Sequence, residues 1–158
     1  PFRPGDEDAI VRITCEVFEP VSMDRRIEEV VGRGGADWRT IKGDTVRQEL
    51  KDNPQGCFVA ESGGQVVGYV TTAVHAKALR GLIPNLAVSA DAQGRGVGRK
   101  LLLRAIEYFR SLGLRQAKIE TLEHNQVGKH LYPSVGFKEI VRQIHYAMSL
   151  EAGARRRP

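Results

Sequence analysis

The feature that most constrains the fold is a glycine-rich stretch at residues 93–98, which separates a short apolar run from a longer amphipathic one. The apolar run, residues 83–88, is predicted to be a strand. Because Pro84 cannot donate to a ladder, we expect a sheet edge or a bulge near it. From Val97 to Leu112, apolar residues recur every three or four positions, which predicts a helix.

A strand that passes through glycines into a helix is suited to bind an anion. The first amides of a helix have no intrahelical acceptors and lie at the positive end of its dipole, so neighbouring glycines let a phosphate approach them. Arg95 and Arg99 add positive charge at the same place. Two nucleotide motifs are excluded, because Arg99 replaces the last glycine of Gly-x-Gly-x-x-Gly and no Gly-Lys-Ser/Thr is present.

Two motifs carry a resemblance to a known family. Gln93, Gly96 and Gly98 form the pattern Gln-x-x-Gly-x-Gly, and residues 125–137 read Asn-x-x-Gly-x-x-Leu-Tyr-x-x-x-Gly-Phe. The first resembles the pyrophosphate-binding loop of the GNAT superfamily of N-acetyltransferases, and the second is similar to its other signature. The resemblance covers roughly residues 55–150.

The resemblance implies an α/β fold with a mixed, mostly antiparallel central sheet of six to seven strands flanked by about four helices. By size the chain is one domain, and the resemblance implies that residues 1–150 form a single acetyl-CoA-binding N-acetyltransferase domain. Residues 151–158 are predicted to be a basic, disordered tail. Acetyl-CoA is the implied co-substrate. The implied cofactor contacts are Leu86, Ala87, Val88, Gln93, Gly94, Arg95, Gly96, Val97, Gly98, Arg99, Asn125 and Gly128.

Tyr132 is the predicted general acid for the CoA thiolate. A phenol titrates near 10 and a thiol near 8.5, so a protonated tyrosine can donate a proton and recover it. Pro133 follows directly, so the helix either ends at Tyr132 or is kinked. Glu120 is the first candidate for the general base; His75, His145 or a water chain are the alternatives.

The predicted acceptor is a small-molecule or peptide amine that attacks directly in a ternary complex. In the family, the region between the first two helices often shapes the acceptor pocket. The candidates there are Met23, Asp24, Glu28, Asp37 and Trp38. The alternative function is a non-catalytic acetyl-CoA-binding sensor or interaction module.

Local patterns predict the remaining elements. Gly63 and Gly64 favour a hairpin turn. We expect a first strand ending at residues 2–4, helices from Gly5 to Pro20, over residues 23–31 and from Asp44 to Lys51, hairpin strands at residues 57–61 and 65–74, a strand at residues 117–122 parallel to the one before it, a short helix capped by Asn125, and one or two final strands within residues 137–150.

Composition limits the partners. The net charge is +5, but the arginines at residues 155–157 supply much of it, so we predict no nucleic-acid binding. Cys15 and Cys57 fit no metal-ligand spacing, and we predict no metal site. No apolar run has bilayer length and no secretory pattern opens the chain, so we predict a cytoplasmic protein with no membrane partner. A homodimer is left open.

Overall fold

The computed structural model describes residues 1–151. Within that range no helix is long and apolar enough to cross a membrane. The predicted tail is residues 151–158, of which residues 152–158 lie outside the described residues. The helices are α1 (Glu7–Val17), α2 (Met23–Val31), α3 (Trp38–Asp52), α4 (Val97–Ser111) and α5 (Gln126–Ser134). The strands are β1 (Phe58–Ser62), β2 (Gln65–His75), β3 (Arg80–Val88) and β4 (Gln116–Ile119).

The strands form one mixed sheet in the order β1-β2-β3-β4. The pairs β1–β2 and β2–β3 are antiparallel, whereas β3 and β4 are parallel and are joined through α4. The predicted hairpin is confirmed: its turn places Gly63 and Gly64 at φ angles of 58° and 77°, a conformation that favours glycine. The mixed, mostly antiparallel α/β architecture is therefore as predicted.

The predicted number of strands, six to seven, is wrong: residues 1–151 contain four. Near the start, the Phe2 amide donates to the Cys57 carbonyl at 2.9 Å, but a 3-10 turn begins at Pro4 and no ladder follows. Residues 138–150 form no strand either. A strand requires a ladder partner, and neither segment has one within the described chain.

The sheet separates two apolar layers. Tyr69 and Val70 are adjacent and fully buried, yet they pack into different clusters because successive strand residues face opposite sides. The Tyr69 hydroxyl is satisfied by the Thr14 hydroxyl at 2.7 Å. Helices α1 and α3 supply Ile10, Ile13, Val46 and Leu50 to one layer. Helix α4 supplies Leu101, Leu102, Ala105 and Phe109 to the other.

Helix α3 begins at Trp38, earlier than the predicted Asp44. The Asp37 carboxylate caps the first turn by accepting the Thr40 backbone N–H at 2.9 Å. Gly43 lies inside the helix and is buried, and a Cβ there would come within 3.3 Å of a side chain on α1. The glycine therefore allows α1 and α3 to pack closely instead of ending the helix.

Gly81→Ala is expected to destabilise the fold. Gly81 is buried, and a Cβ there would lie 2.4 Å from the Phe109 ring. Such overpacking should lower the free energy of unfolding by roughly 2 kcal/mol, measured by urea denaturation. Gly35→Ala is the control, because a Cβ at Gly35 meets nothing within 4 Å. An equal loss in both variants would contradict this packing.

Candidate functional site

A gap opens where β3 and β4 stop pairing. The two strands pair over four positions, from Arg80 with Gln116 to Ile83 with Ile119. Strand β3 then continues to Val88, still paired with β2, while β4 has ended. The side of β3 facing the gap therefore presents free backbone groups. The predicted contacts on this edge are Leu86, Ala87 and Val88.

A β-bulge lies at this point in β3. Thr71 is opposite Asn85 but Ala73 is opposite Leu82, so three steps along β3 match two along β2. The irregularity expected near Pro84 is thus confirmed. Bulges bend a strand and redirect its side chains, and Pro84 has no N–H to offer β4. Together these features account for the separation of the two strands.

The glycine loop leads from β3 into an open helix start. Gly94 and Gly96 have φ angles of 73° and 77°, and a Cβ at either would meet nothing within 4 Å. Gly96 is the N-cap of α4, which has no side-chain cap and no acidic residue in its first turn. Arg95 is exposed beside it. Uncapped amides, a helix dipole and a cation can together hold an anion.

Two of the predicted cofactor contacts, Gln93 and Arg99, also bind protein groups. Gln93 Nε2 donates to the Val88 carbonyl at 2.9 Å and so closes the loop onto β3. Arg99 Nη1 donates to the carbonyl and hydroxyl oxygens of Ser134, at 2.9 and 3.0 Å. These bonds fix the loop and tie the start of α4 to the end of α5. Val97 and Gly98 lie half-buried in the first turn of α4.

Asn125 caps α5, as the sequence predicts. Its Oδ1 accepts the Gly128 amide at 3.1 Å, and its Nδ2 donates to the Thr121 hydroxyl at 2.8 Å. Gly128 is buried, and a Cβ there would lie 2.9 Å from Cε2 of Tyr132. The glycine therefore makes room for the Tyr132 ring.

Tyr132 lies on α5 with its ring packed edge-on against Phe137, the centroids 6.4 Å apart. Burial raises the pKa of Tyr132, and a hydrogen bond with the Thr121 side chain opposes that rise. The helix continues through Pro133 to Ser134, so it does not end at Tyr132. The Tyr132 hydroxyl is therefore protonated and partly removed from water, and it lies near the residues that follow β4.

The candidate bases lie in different places. Glu120 follows β4 directly, but it is exposed and forms an ion pair with Lys118. His75 is opposite Arg80 in the sheet register, at the end of β3 away from the glycine loop. His145 lies in the exposed segment after α5. Of the three residues, Glu120 is the one adjacent to the gap.

A polar network that the sequence reasoning missed supports the bulge from the α3 side. Glu49 Oε2 accepts the Thr71 hydroxyl at 2.8 Å and the Asn85 side-chain amide at 2.6 Å. The Asn85 backbone N–H donates to the Thr71 hydroxyl oxygen at 3.1 Å. Lys42 Nζ donates to Asn85 Oδ1 at 2.6 Å. The network holds both strands at their register shift.

A sequence signal for this network does exist. Lys42 and Glu49 are two helical turns apart and share a face with the buried residues Val46 and Leu50. Charged residues on an apolar stripe need partners. Burial lowers the pKa of Lys42, while the nearby Glu49 carboxylate opposes that shift. This pattern is visible only when α3 begins at Trp38, because the predicted start at Asp44 leaves Lys42 outside the helix.

The candidate acceptor residues lie on α2, at the start of α3 and at its N-cap. Glu28 Oε2 accepts the backbone N–H of the buried Trp38 at 2.9 Å. The Arg33 side chain binds the same carboxylate at 2.9 Å and, as the largest cause, lowers the pKa of Glu28. Asp37 caps α3. Met23 and Asp24 lie half-buried in the first turn of α2.

The sequence model of the acetyltransferase (GNAT) family matches residues 21–137. The chain therefore belongs to this family, as the two motifs suggested. Acetyl-CoA is the co-substrate of the family, so that prediction is confirmed.

Two relatives are mycothiol acetyltransferases. The one from Thermobispora bispora is 30% identical over 153 residues, covering 92% of this chain and 48% of the relative. The one from Thermomonospora curvata is 32% identical over 141 residues, covering 85% and 47%. The chain thus spans about half the length of the curated relatives it matches.

A solved structure shares the fold. The PaiA N-acetyltransferase from Thermoplasma acidophilum, in complex with coenzyme A, superposes with a TM-score of 0.68. The alignment covers 85% of this chain and 84% of that chain at 17% identity. The likeness shows that the mixed sheet with its flanking helices is a GNAT-type architecture.

Glu49→Ala is expected to destabilise the protein by roughly 2 kcal/mol, because two buried donors lose their shared acceptor. The measurement is the free energy of unfolding in urea. Glu61→Ala is the control: Glu61 is exposed on β1, so its replacement should change that free energy by less than about 0.5 kcal/mol. Equal effects would show that the network does not stabilise the bulge.

Proposed function

We propose that this chain is an N-acetyltransferase that moves the acetyl group of acetyl-CoA to a primary amine by direct attack in a ternary complex. One observation carries the proposal: the unpaired edge of β3 leads through the glycine loop to the start of α4, which has no side-chain cap. An extended ligand with amide groups along its arm and a diphosphate at its end matches both surfaces. Acetyl-CoA has that chemistry, and the family uses it.

The cofactor roles follow from this continuity. The main chain of Leu86, Ala87 and Val88 pairs with the pantetheine arm as an added strand would. The amides of residues 94–99 bind the pyrophosphate, with the Arg95 guanidinium beside them. A backbone N–H near Val88 polarises the thioester carbonyl, a type of donor worth roughly 3 to 4 kcal/mol where measured. Asn125 and Gly128 lie at the start of α5, and the placement of this helix brings them near the pantetheine.

The transfer step uses Tyr132 as the acid. The amine lone pair attacks the thioester carbonyl carbon, an amide bond forms and the C–S bond breaks. The Tyr132 hydroxyl gives its proton to the departing thiolate and later recovers one from solvent. Burial raises the pKa of Tyr132, which keeps the hydroxyl protonated at neutral pH. Glu120, or water, accepts the proton that the amine loses.

The acceptor is proposed to be a small amine. The curated relatives named above are mycothiol acetyltransferases, so a mycothiol-related amine is the first acceptor to test. The acceptor approaches from the side of α2 and α3, opposite to α4, because the glycine loop and α4 occupy the cofactor side.

Arg95→Glu is expected to weaken CoA binding by about tenfold or more, because a positive charge beside the open amides becomes negative. Isothermal titration calorimetry with CoA measures the effect. Arg110→Glu makes the same charge change in the last turn of α4 and should leave the affinity within about twofold. Unchanged affinity in Arg95→Glu would count against this site.

Tyr132→Phe is expected to lower kcat by about 100-fold while the Kd for CoA stays within about twofold, because the change removes the proton donor alone. Tyr108→Phe is the control, since that hydroxyl donates to Asn53 at 3.1 Å and serves packing. Steady-state assays with an amine panel measure kcat. If the unmodified protein turns over no amine but binds acetyl-CoA, the sensor alternative is supported.

A further inference from the structure

The chain between α1 and α2 is linked to the β3 side of the gap. Residues 18–22, here called the connecting segment, lead from α1 to α2. Nζ of Lys42 lies 4.5 Å from the centre of the Phe18 ring, and the same ammonium donates to Asn85 at the bulge. Because a cation over an aromatic ring is attracted to it, these contacts hold the connecting segment beside the bulge.

The connecting segment also meets the opposite side of the gap. His124 Nε2 lies 2.6 Å from the Pro20 carbonyl oxygen, although the two residues are 104 positions apart. A carbonyl oxygen can only accept, so Nε2 carries the hydrogen. Within residues 1–151, this is the one hydrogen bond or ion pair that joins residues 1–57 to the chain from residue 119 onward. The connecting segment therefore spans from the bulge in β3 to the loop that follows β4.

The two attachments differ in strength. Toward α2 and α3, the Glu19 carboxylate pairs with Arg39 at 2.8 Å, and the Glu19 carbonyl accepts a hydrogen bond from Arg25 at 2.7 Å. Toward β4, His124 and Pro20 are both exposed and share a single hydrogen bond. A single exposed hydrogen bond contributes little and opens readily. The β4 end of the connecting segment is therefore the end that can open.

His124 itself lies on a fixed turn. The Asn125 backbone N–H donates to the Leu122 carbonyl at 2.9 Å and closes the turn that contains His124. Asn125 then caps α5, the helix that carries Tyr132. The hydrogen bond to Pro20 thus joins the helix of the proposed acid to the connecting segment.

We propose that His124 is a positioning residue that holds the connecting segment across the gap and so restricts the acceptor to a small amine. The inference rests on the proposed acetyl transfer, in which the acceptor approaches from the side of α2 and α3. A peptide or protein amine would have to break the bond between His124 and Pro20 to reach the thioester. In this role His124 contacts none of the reacting atoms.

Hydrogen–deuterium exchange followed by NMR tests the bond without any acceptor. The Val21 amide, which donates to the Phe18 carbonyl at 3.0 Å, reports on the connecting segment. His124→Ala should speed its exchange by roughly three- to tenfold, as loss of one hydrogen bond implies. His124→Gln keeps an Nε2 donor and should restore part of the protection. His130→Ala, at an exposed position on α5, should change nothing, and unchanged exchange in His124→Ala would overturn the proposal.

Steady-state assays test the effect on acceptor choice. The probes are a small amine that the unmodified protein acetylates and a hexapeptide with a free N-terminus. In His124→Ala, kcat/KM for the peptide relative to the small amine should rise by about fivefold or more through KM, with kcat for the small amine within about twofold. The Kd for CoA should stay unchanged, and His124→Gln should behave like the unmodified protein.

The outcomes separate this inference from the function on which it rests. An unchanged ratio in His124→Ala, in a protein that acetylates the small amine, would overturn the role of His124 and leave the acetyl transfer standing. A protein that acetylates no amine would overturn the proposed function and, with it, the effect on acceptor choice. The exchange of the Val21 amide would then still decide whether His124 holds the connecting segment.

Discussion

The bulge at Pro84 is the constraint on which the rest of the structure depends. Because β3 gains a residue there and Pro84 has no N–H, pairing with β4 ends at Ile83 while pairing with β2 continues to Val88. Beyond Ile83, β3 is therefore paired with β2 on one side and unpaired on the other. A regular β3 could pair with β4 along its whole length, and the gap in front of the glycine loop would close.

Such an irregularity leaves backbone and side-chain groups to be satisfied, and α3 supplies the partners. The Thr71 hydroxyl accepts the Asn85 amide and donates to Glu49, and the same carboxylate accepts the Asn85 side chain. Lys42 lies on the other side of Asn85 and provides a positive charge near Glu49. A half-buried carboxylate with several donors is stable where an unpaired one is not. Helix α3, whose side chains hold the bulge, therefore helps to set the shape of the gap.

Sequence reasoning succeeded where the determining interactions are local. The glycines at 94 and 96 need left-handed φ angles, Asn125 caps its own helix, and the hairpin turn is set by its two glycines. It failed where partners are distant along the chain. Glu49 meets Thr71 and Asn85 only in the folded sheet. Likewise, the final strands expected within residues 137–150 do not form, because residues 1–151 offer that segment no ladder partner.

Strand β4 lies between β3 and the residues that lead to α5. Its pairing with β3 ends at Ile119, which opens the gap, and its outer edge has no ladder partner among residues 1–151. Thr121 lies two residues after the end of β4, contacts Tyr132 and accepts the Asn125 side-chain amide. The end of β4 therefore sets the position of Thr121, and through Thr121 that of the Asn125 cap and of the Tyr132 hydroxyl at the gap.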